Sequence, residues 1–562
     1  MDLHHPYLTE QLIAYIGNKR SLLPFLHAIL RDLPREPSRS VFLDPFAGSG
    51  SVSRLARLMG FGVRSNDWEY YSWVINSCHI GVGARELDSL FAAAGGFERI
   101  RDDLNGLPAL PEDQAYIARH YAPRETARAD WRTERLFYTR ENAQVIDAVR
   151  SRIEQLYPGV PTDPRAAKEK AVLLAPLLYE AATHTNTSGV FKACHRGFGG
   201  HGGDALSRIL APIRLHTPVL VDTPATATVS CANAVDFLGG VSGDICYLDP
   251  PYAVHQYGSN YFMLNSIARW DKPPVSDERD QDGRFRFKAG IRSDWTRTRS
   301  AFCYKESAVS SLREVANAAD CRWLVVSYSN EGLVGVEELC DLLSACGQLR
   351  VLSTPYMKYP GGKQSLSRTT RNIELVFVVD RDGPRVPKGP DVASTAVQTV
   401  TLSQLLVGSF DPRRIRASFP CVEGSICIED GQGAMMLLPM RHYWRFAGEP
   451  DCAALAANPN AAGMIGRLKE CALVDVREEI DVIAGLLPDV REDRERSALL
   501  REATRLLNKL AHRKNAAAFA QALRSLLAYE APPAVAGRFT GELEAIAEKA
   551  RRRSADSRER PK

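Results

Sequence analysis

The sequence is short of several features, and each shortage narrows its class. No stretch has the length and apolarity of a membrane span, and the amino terminus, with Asp2, His4 and His5, lacks the basic and apolar regions of a secretion signal. The expected setting is therefore the cytoplasm, with no membrane partner. Cysteine is sparse: 12 in 562 residues, with no C-x-x-C pair, and the spacings Cys340 to Cys346 and Cys421 to Cys427 fit no usual zinc site. Reduced, mostly buried thiols are expected. Charge of one sign is also lacking: the formal net charge is +4 with a pI near 8.4, too weak to indicate nucleic acid from composition alone. A chain this long can still build several domains with substantial cores.

Among the features that are present, Asp249-Pro250-Pro251-Tyr252 carries the most chemistry. It closes the apolar run Ile245-Cys246-Tyr247-Leu248, which reads as a buried strand. The Asp249 carboxylate and the Pro250 carbonyl can accept both hydrogens of an exocyclic amine, the prolines stiffen the turn, and Tyr252 offers a ring for stacking. The group suits a planar nucleobase amine. A similar turn can also simply end a strand, so the upstream sequence decides.

There, Val41-Phe42-Leu43-Asp44-Pro45-Phe46-Ala47-Gly48-Ser49-Gly50-Ser51 reads as a strand entering a glycine-rich turn and then a helix. Glycines let the backbone approach a ligand, and open α/β sheets bind ligands at the carboxyl ends of such strands. A second strand, Gly62-Val63-Arg64-Ser65, ends in Asn66-Asp67, which places the Asp67 carboxylate where it can bind both hydroxyls of a ribose. Val229 to Ala234 and Trp323 to Asn330 read as further strands. Asp236 and Phe237, after the first of them, are expected to contact a cofactor's adenine ring, although an ordinary helix cap with a core phenylalanine fits as well.

Taken in order, Tyr15-Ile16-Gly17-Asn18-Lys19-Arg20, the Asp44 to Ser51 loop, Asn66-Asp67 and the Asp249 to Tyr252 turn resemble the alpha-class, Dam-like family of DNA adenine methyltransferases, across roughly residues 10 to 380. Asp44 and Asp249 stand 205 positions apart, room for the recognition region that such enzymes insert between cofactor and catalytic motifs. The resemblance implies a Rossmann-like α/β sheet with an antiparallel terminal strand, S-adenosylmethionine as cofactor, and transfer of its methyl group to the N6 amine of a flipped adenine in double-stranded DNA. It assigns Tyr15, Gly17 and Lys19 to the cofactor or DNA-facing edge, with Phe46, Gly48 and Gly50 along the cofactor. It also implies a restriction-modification or other DNA-defence setting, with a cognate restriction nuclease or another defence-system subunit as the expected partner. RNA or DNA-cytosine amine methylation, and an inactive DNA-recognition subunit, remain as alternatives.

The expected division is a first catalytic part, 1–83; a helical insert for target recognition, 84–218, with amphipathic stretches from Glu141 to Leu156 and Lys168 to Thr183; a second catalytic part, 219–380; a linker and β-rich region, 381–450, with short strands and turns over 398–447; and a helical region, 451–562, ending in a disordered basic tail from Lys549. Two basic stretches are expected to contact DNA. One is a hairpin loop with Lys358, Lys363, Arg368 and Arg371; the other includes Arg284, Arg286, Lys288, Arg292, Arg297 and Arg299 interleaved with Phe285, Phe287 and Trp295, of which Arg292 and Arg297 are the leading candidates. Within the insert, Thr185 to Gly203 reads as a flexible DNA-facing loop. Its His195 and His201 lack a matching carboxylate or cysteine set, so no metal is expected.

Overall fold

The structure, a computed structural model, describes residues 1–33, 36–200, 203–357, 371–383, 390–429, 435–441, 445–446, 451–473, 475–511 and 515–555. The chain falls into two compact units: Met1–Thr354 with Glu374–Ala393, and Pro355–Ile373 with Ser394–Lys562.

Seven strands form one sheet: β1 (Val41–Asp44), β2 (Gly62–Asn66), β3 (Ala227–Ser230), β4 (Ser242–Leu248), β5 (Asp320–Ser329), β6 (Gln348–Met357) and β7 (Arg371–Asp380), in the order β3-β2-β1-β4-β5-β7-β6. β3, β2, β1, β4 and β5 run parallel, with Phe42 beside Val63 on one side and Ile245 on the other. β7 lies antiparallel to β5 and sets Glu374 opposite Ser329. Burial of the carboxyl-terminal halves of β4 and β5 is continuous, which explains why both read as unbroken apolar runs rather than alternating ones. The chain moves outward from β1 through β2 to β3, then returns to place β4 on the other side of β1. That reversal opens a crevice beyond the carboxyl ends of β1 and β4.

The turn after β1 is fixed by glycine. Gly50 caps the helix Ser51–Met59 with φ +79°, and a Cβ there would stand 2.2 Å from Asn76 Oδ1. The same helix stops at Gly60, whose φ is +96° and whose N–H returns to the carbonyls of Ala56 and Arg57.

Residues 84–218 are mainly helical, with Arg140–Leu156 and Pro164–Thr183 the long members. Thr139 and Asp163 cap them by accepting from the N–H groups of Asn142 and Ala166. They share one hydrophobic core with the helices Tyr70–His79 and Phe262–Arg269, including Tyr71, Val74, Ile146, Leu174, Phe262 and Ile267. Arg150 crosses that core with a fully buried side chain. Its Nε donates to Ile267 O at 2.7 Å, its Nη2 to Ala268 O at 3.1 Å, and its Nη1 pairs with Glu154 at 2.9 Å.

The second unit departs from the sequence reading in two places. The strands and turns expected over 398–447 begin only at β8 (Cys421–Val422), followed by β9 (Ser425–Glu429), β10 (Met435–Arg441) and β11 (Arg445–Phe446), because the helices Pro390–Leu406 and Pro412–Ser418 come first. Thr399, Thr401 and Ser403 each turn their hydroxyl onto a carbonyl four residues back at 2.8 Å, so residues that favour strands and turns are held in helix. The basic tail is likewise helical through Ala555, in Pro533–Ala555, and its remainder lies outside the described residues. A second core in this unit joins Ile480, Leu506, Leu507, Leu526 and Phe539. Among the described residues, no helix is long and apolar enough to cross a membrane.

Arg150→Ala is expected to destabilise the first unit by about 3 kcal/mol, since it strands two buried carbonyls and removes one of the two cations paired with Glu154, leaving Lys170 at 2.8 Å. A lower urea midpoint for the transition of that unit, followed by a fluorescent probe on it, checks this; an unchanged midpoint refutes it.

Candidate functional site

A cavity of about 430 Å³ occupies the crevice beyond β1 and β4. Three separated stretches meet there: Tyr15 to Lys19, Asp44 to Ser49, and Asp249 to Tyr252, with Asp67 and Asp236 beside them.

The glycine-rich loop is held open by its own hydrogen bonds. Gly48 N–H donates to Asp67 Oδ2 at 2.7 Å, Glu69 N–H donates to Asp67 Oδ1 at 2.8 Å, and Ser72 Oγ–H donates to Gly48 O at 2.6 Å. Gly48 has φ +52°, and a Cβ on it would lie 2.7 Å from the Tyr15 ring, so only glycine fits between loop and ring. Tyr15 in turn stacks on Tyr261 with centroids 4.9 Å apart. Tyr261 and Tyr257 clamp the backbone of Ile16: its N–H donates to Tyr261 Oη at 2.8 Å, and its carbonyl accepts from Tyr257 Oη at 3.0 Å.

At the Asp249 to Tyr252 turn, Lys19 is buried, with its ammonium 3.0 Å from Asp249 Oδ1, 2.7 Å from Glu374 Oε1 and 5.0 Å from the centre of the Tyr252 ring. Ser327 Oγ–H donates to the same Glu374 oxygen at 2.8 Å. Burial works against the Lys19 charge, but Asp249 and Glu374 reverse the balance and raise its pKa well above the ordinary lysine value. Burial pushes Asp249 up to about 6, with Lys19 opposing and Glu374 assisting that rise. Burial also raises Asp44 to about 7, against the bond it accepts from Ser53, and Glu69 to about 7, against bonds from Thr298 and Asn265.

Of the expected site residues, Tyr15, Gly17, Lys19, Asp44, Phe46, Gly48, Asp67, Asp236, Asp249, Pro250, Pro251 and Tyr252 all line this cavity. Gly50 and Phe237 do not. Gly50 faces Asn76 as a helix cap, and Phe237 is buried in the helix Ala234–Leu238. Arg292 corrects an expectation: its side chain is 2% exposed, and it bonds Asp271 and Asp294, so its charge is spent inside the protein rather than offered to phosphate. The basic spacing that suggested DNA contact is matched by acids nearby, including the Glu278–Arg286 and Asp282–Arg284 pairs. Phe285 lies between the guanidinium groups of Arg135 and Arg279, at 3.9 and 4.2 Å from its ring centre. Arg297 is exposed in the short helix Ser293–Thr298.

Lys358, Lys363 and Arg368 lie outside the described residues, as does His201; Arg371 opens β7. The loop around Asn186 is more fixed than its composition suggests, because Asn186 is buried and donates to Leu136 O at 3.0 Å and Gly197 O at 3.2 Å. Among the described residues, no group of three or more His, Cys, Asp or Glu side chains is placed to hold a metal ion.

Sequence reasoning missed Glu69, Tyr257, Thr298, Ser300 to Phe302 and Glu374, and it offered Arg299 for DNA contact, whereas Arg299 lines this cavity. Phe302 packs edge-on to Phe46 with centroids 5.4 Å apart. Only Glu69 left a usable signal: an acidic residue two positions beyond Asp67, just before the helix Tyr70–His79.

Residues 15–278 match the family described as D12 class N6 adenine-specific DNA methyltransferase. The chain is 31% identical over 353 residues to the Type II methyltransferase M.NlaIII of Neisseria lactamica, covering 62% of this chain and 93% of that protein. It is 30% identical over 373 residues to the Type II methyltransferase M.CviAII of Paramecium bursaria Chlorella virus 1, covering 65% of this chain and 98% of that protein. Against the modification methylase LlaI of Lactococcus lactis subsp. lactis, identity is 28% over 381 residues, covering 67% of this chain but 56% of that longer protein. No solved structure matches the chain significantly.

An acid whose pKa is raised by folding contributes stability that is complete below its unfolded value, near 4, and is lost as pH rises through the folded value. With Asp44 raised to about 7, the melting temperature of Asp44→Asn relative to the native chain is expected to increase from about pH 5 to about pH 8. Thermal melts of both proteins across that range check this, and a constant difference refutes it.

Proposed function

The chain belongs to the D12 class of N6 adenine-specific DNA methyltransferases, and we propose that it methylates adenine at a specific site in double-stranded DNA, with S-adenosylmethionine as donor. The observation that carries this reading is the convergence of Lys19, the Asp44 to Gly48 loop, Asp67 and Asp249 to Tyr252 on one cavity.

The residues present fit the donor. The Phe46 to Ser49 loop lines the cavity, Asp67 and Asp236 offer acceptors for hydroxyl and amine hydrogens, and Phe46 offers apolar surface. When bound, S-adenosylmethionine supplies an electrophilic methyl group.

Adenine's amine is a poor nucleophile because its lone pair is delocalised into the ring. Asp249 and the Pro250 carbonyl accept its two hydrogens and so favour the geometry in which that pair points at the methyl carbon. Tyr252 stacks on the extruded base, and the two prolines hold the acceptors rigid. Asp249 must be ionised to accept in this way, which its pKa of about 6 allows at neutral pH. Residues 84–218 and the exposed Arg297 are candidates for target recognition and phosphate contact, and a nuclease of the same specificity is the natural partner of such an enzyme.

Tritiated methyl transfer to unmethylated duplex DNA, with digestion of the product, tests the reading. N6-methyladenine is expected from the native chain, and Asp249→Ala is expected to lower the rate at least about 100-fold. Label on cytosine or on RNA alone overturns the substrate, and full activity in Asp249→Ala overturns the mechanism.

A further inference from the structure

We propose that Glu374 is a positioning residue of the methyl-transfer site, which shares Lys19 with Asp249 and so keeps Asp249 a strong acceptor toward the amine. This deepens the function just proposed and rests on it. Glu374 is 1% exposed and comes from β7, far in sequence from every motif that announced the site. A buried carboxylate without a partner is costly, and Glu374 meets that cost with Lys19 at 2.7 Å and the Ser327 hydroxyl at 2.8 Å.

The consequence lies in the charge count. Lys19 and Asp249 alone form a neutral pair, in which the ammonium draws electron density from the oxygen that must bind the amine. With Glu374 added, two carboxylates share one ammonium, and that ammonium lies nearer Glu374 than Asp249. The cluster keeps one net negative charge, which complements the positive charge that develops on the amine as it gains a methyl group. The other titratable groups facing Asp249 are Asp44 from β1, Tyr247 from β4 and Tyr257 from the helix Tyr257–Asn260; none supplies a cation. Lys19 lowers the proton affinity of Asp249 and Glu374 raises it, in keeping with this arrangement.

The test is methyl transfer by full-length native protein, Glu374→Gln and Ser327→Ala, measured as kcat and KM for donor and duplex across about pH 5 to about pH 8. For Glu374→Gln, kcat is expected to fall about tenfold, the weight of one weakened charge-assisted hydrogen bond, while both KM values stay within about twofold. The acid limb of its kcat profile should move to lower pH, because Asp249 loses the neighbour that raised its proton affinity. Ser327→Ala should move the limb the opposite way or not at all, since the freed Glu374 leans further onto Lys19, and its kcat should stay within about threefold of native. A limb that rises or stays in place in Glu374→Gln, or a tenfold loss lying wholly in KM, overturns the proposal. If Glu374→Gln does not fold, Glu374→Asp replaces it: the retained but more distant charge should give a smaller fall in kcat with a smaller downward shift, and an unshifted limb counts against the proposal. Absence of transfer by the native chain would instead overturn the function on which the proposal rests.

Discussion

The Lys19 ammonium, held between Asp249 and Glu374, is the interaction on which the site depends. It joins three parts of the chain that the sheet brings together only after folding: the segment before the first strand, the end of β4 and the start of β7. An ammonium in an apolar interior needs compensation, and one carboxylate partly open to the cavity would give an incomplete shield. The second carboxylate completes it and restores the acceptor strength of the first. The antiparallel pairing of β7 with β5 has a direct function here, since it places Glu374 opposite Ser329 and within reach of Ser327.

Around this charge the cavity is shaped mostly by backbone. Asp67 accepts from Gly48 and Glu69, so the carboxylate at the end of β2 also fixes the loop after β1. Tyr15 closes the other side of that loop, and Tyr257 and Tyr261 hold the Tyr15 to Gly17 segment through Ile16. Loops are ordinarily the least fixed parts of a fold, yet this one is tied by side chains from a strand, a helix and the amino-terminal segment. A loop tied in this way loses little freedom on binding, which lowers the ordering cost.

Much of this was legible in the sequence because the relevant signals are local. The apolar runs of β4 and β5, the glycine turn after β1 and the Asp249 to Tyr252 turn each lie within a dozen residues, and backbone chemistry dictates their form. Glu374 was not legible, since a glutamate inside the strand-like run from Ile373 to Val379 gives no local sign that a lysine 355 positions earlier will meet it. Arg292 failed for the same reason in reverse: the spacing of basic residues is visible in sequence, whereas the carboxylates of Asp271 and Asp294 that consume its charge are identified only by geometry. In the second unit the helix Pro390–Leu406 was hidden by its threonines and serines, whose hydroxyls are satisfied within the helix itself.

The concentration of raised carboxylate pKa values around one cavity follows from the same economy of charge. Asp44, Asp67 and Glu69 are buried beside the partly open Asp249, and desolvation is the largest cause of the rise in each. A fold selected for stability alone would replace several of them with apolar groups of similar volume. Retaining four acids around one cavity marks it as shaped for binding rather than for stability, because desolvation and neighbouring charges that shift carboxylates upward gather where a ligand is held.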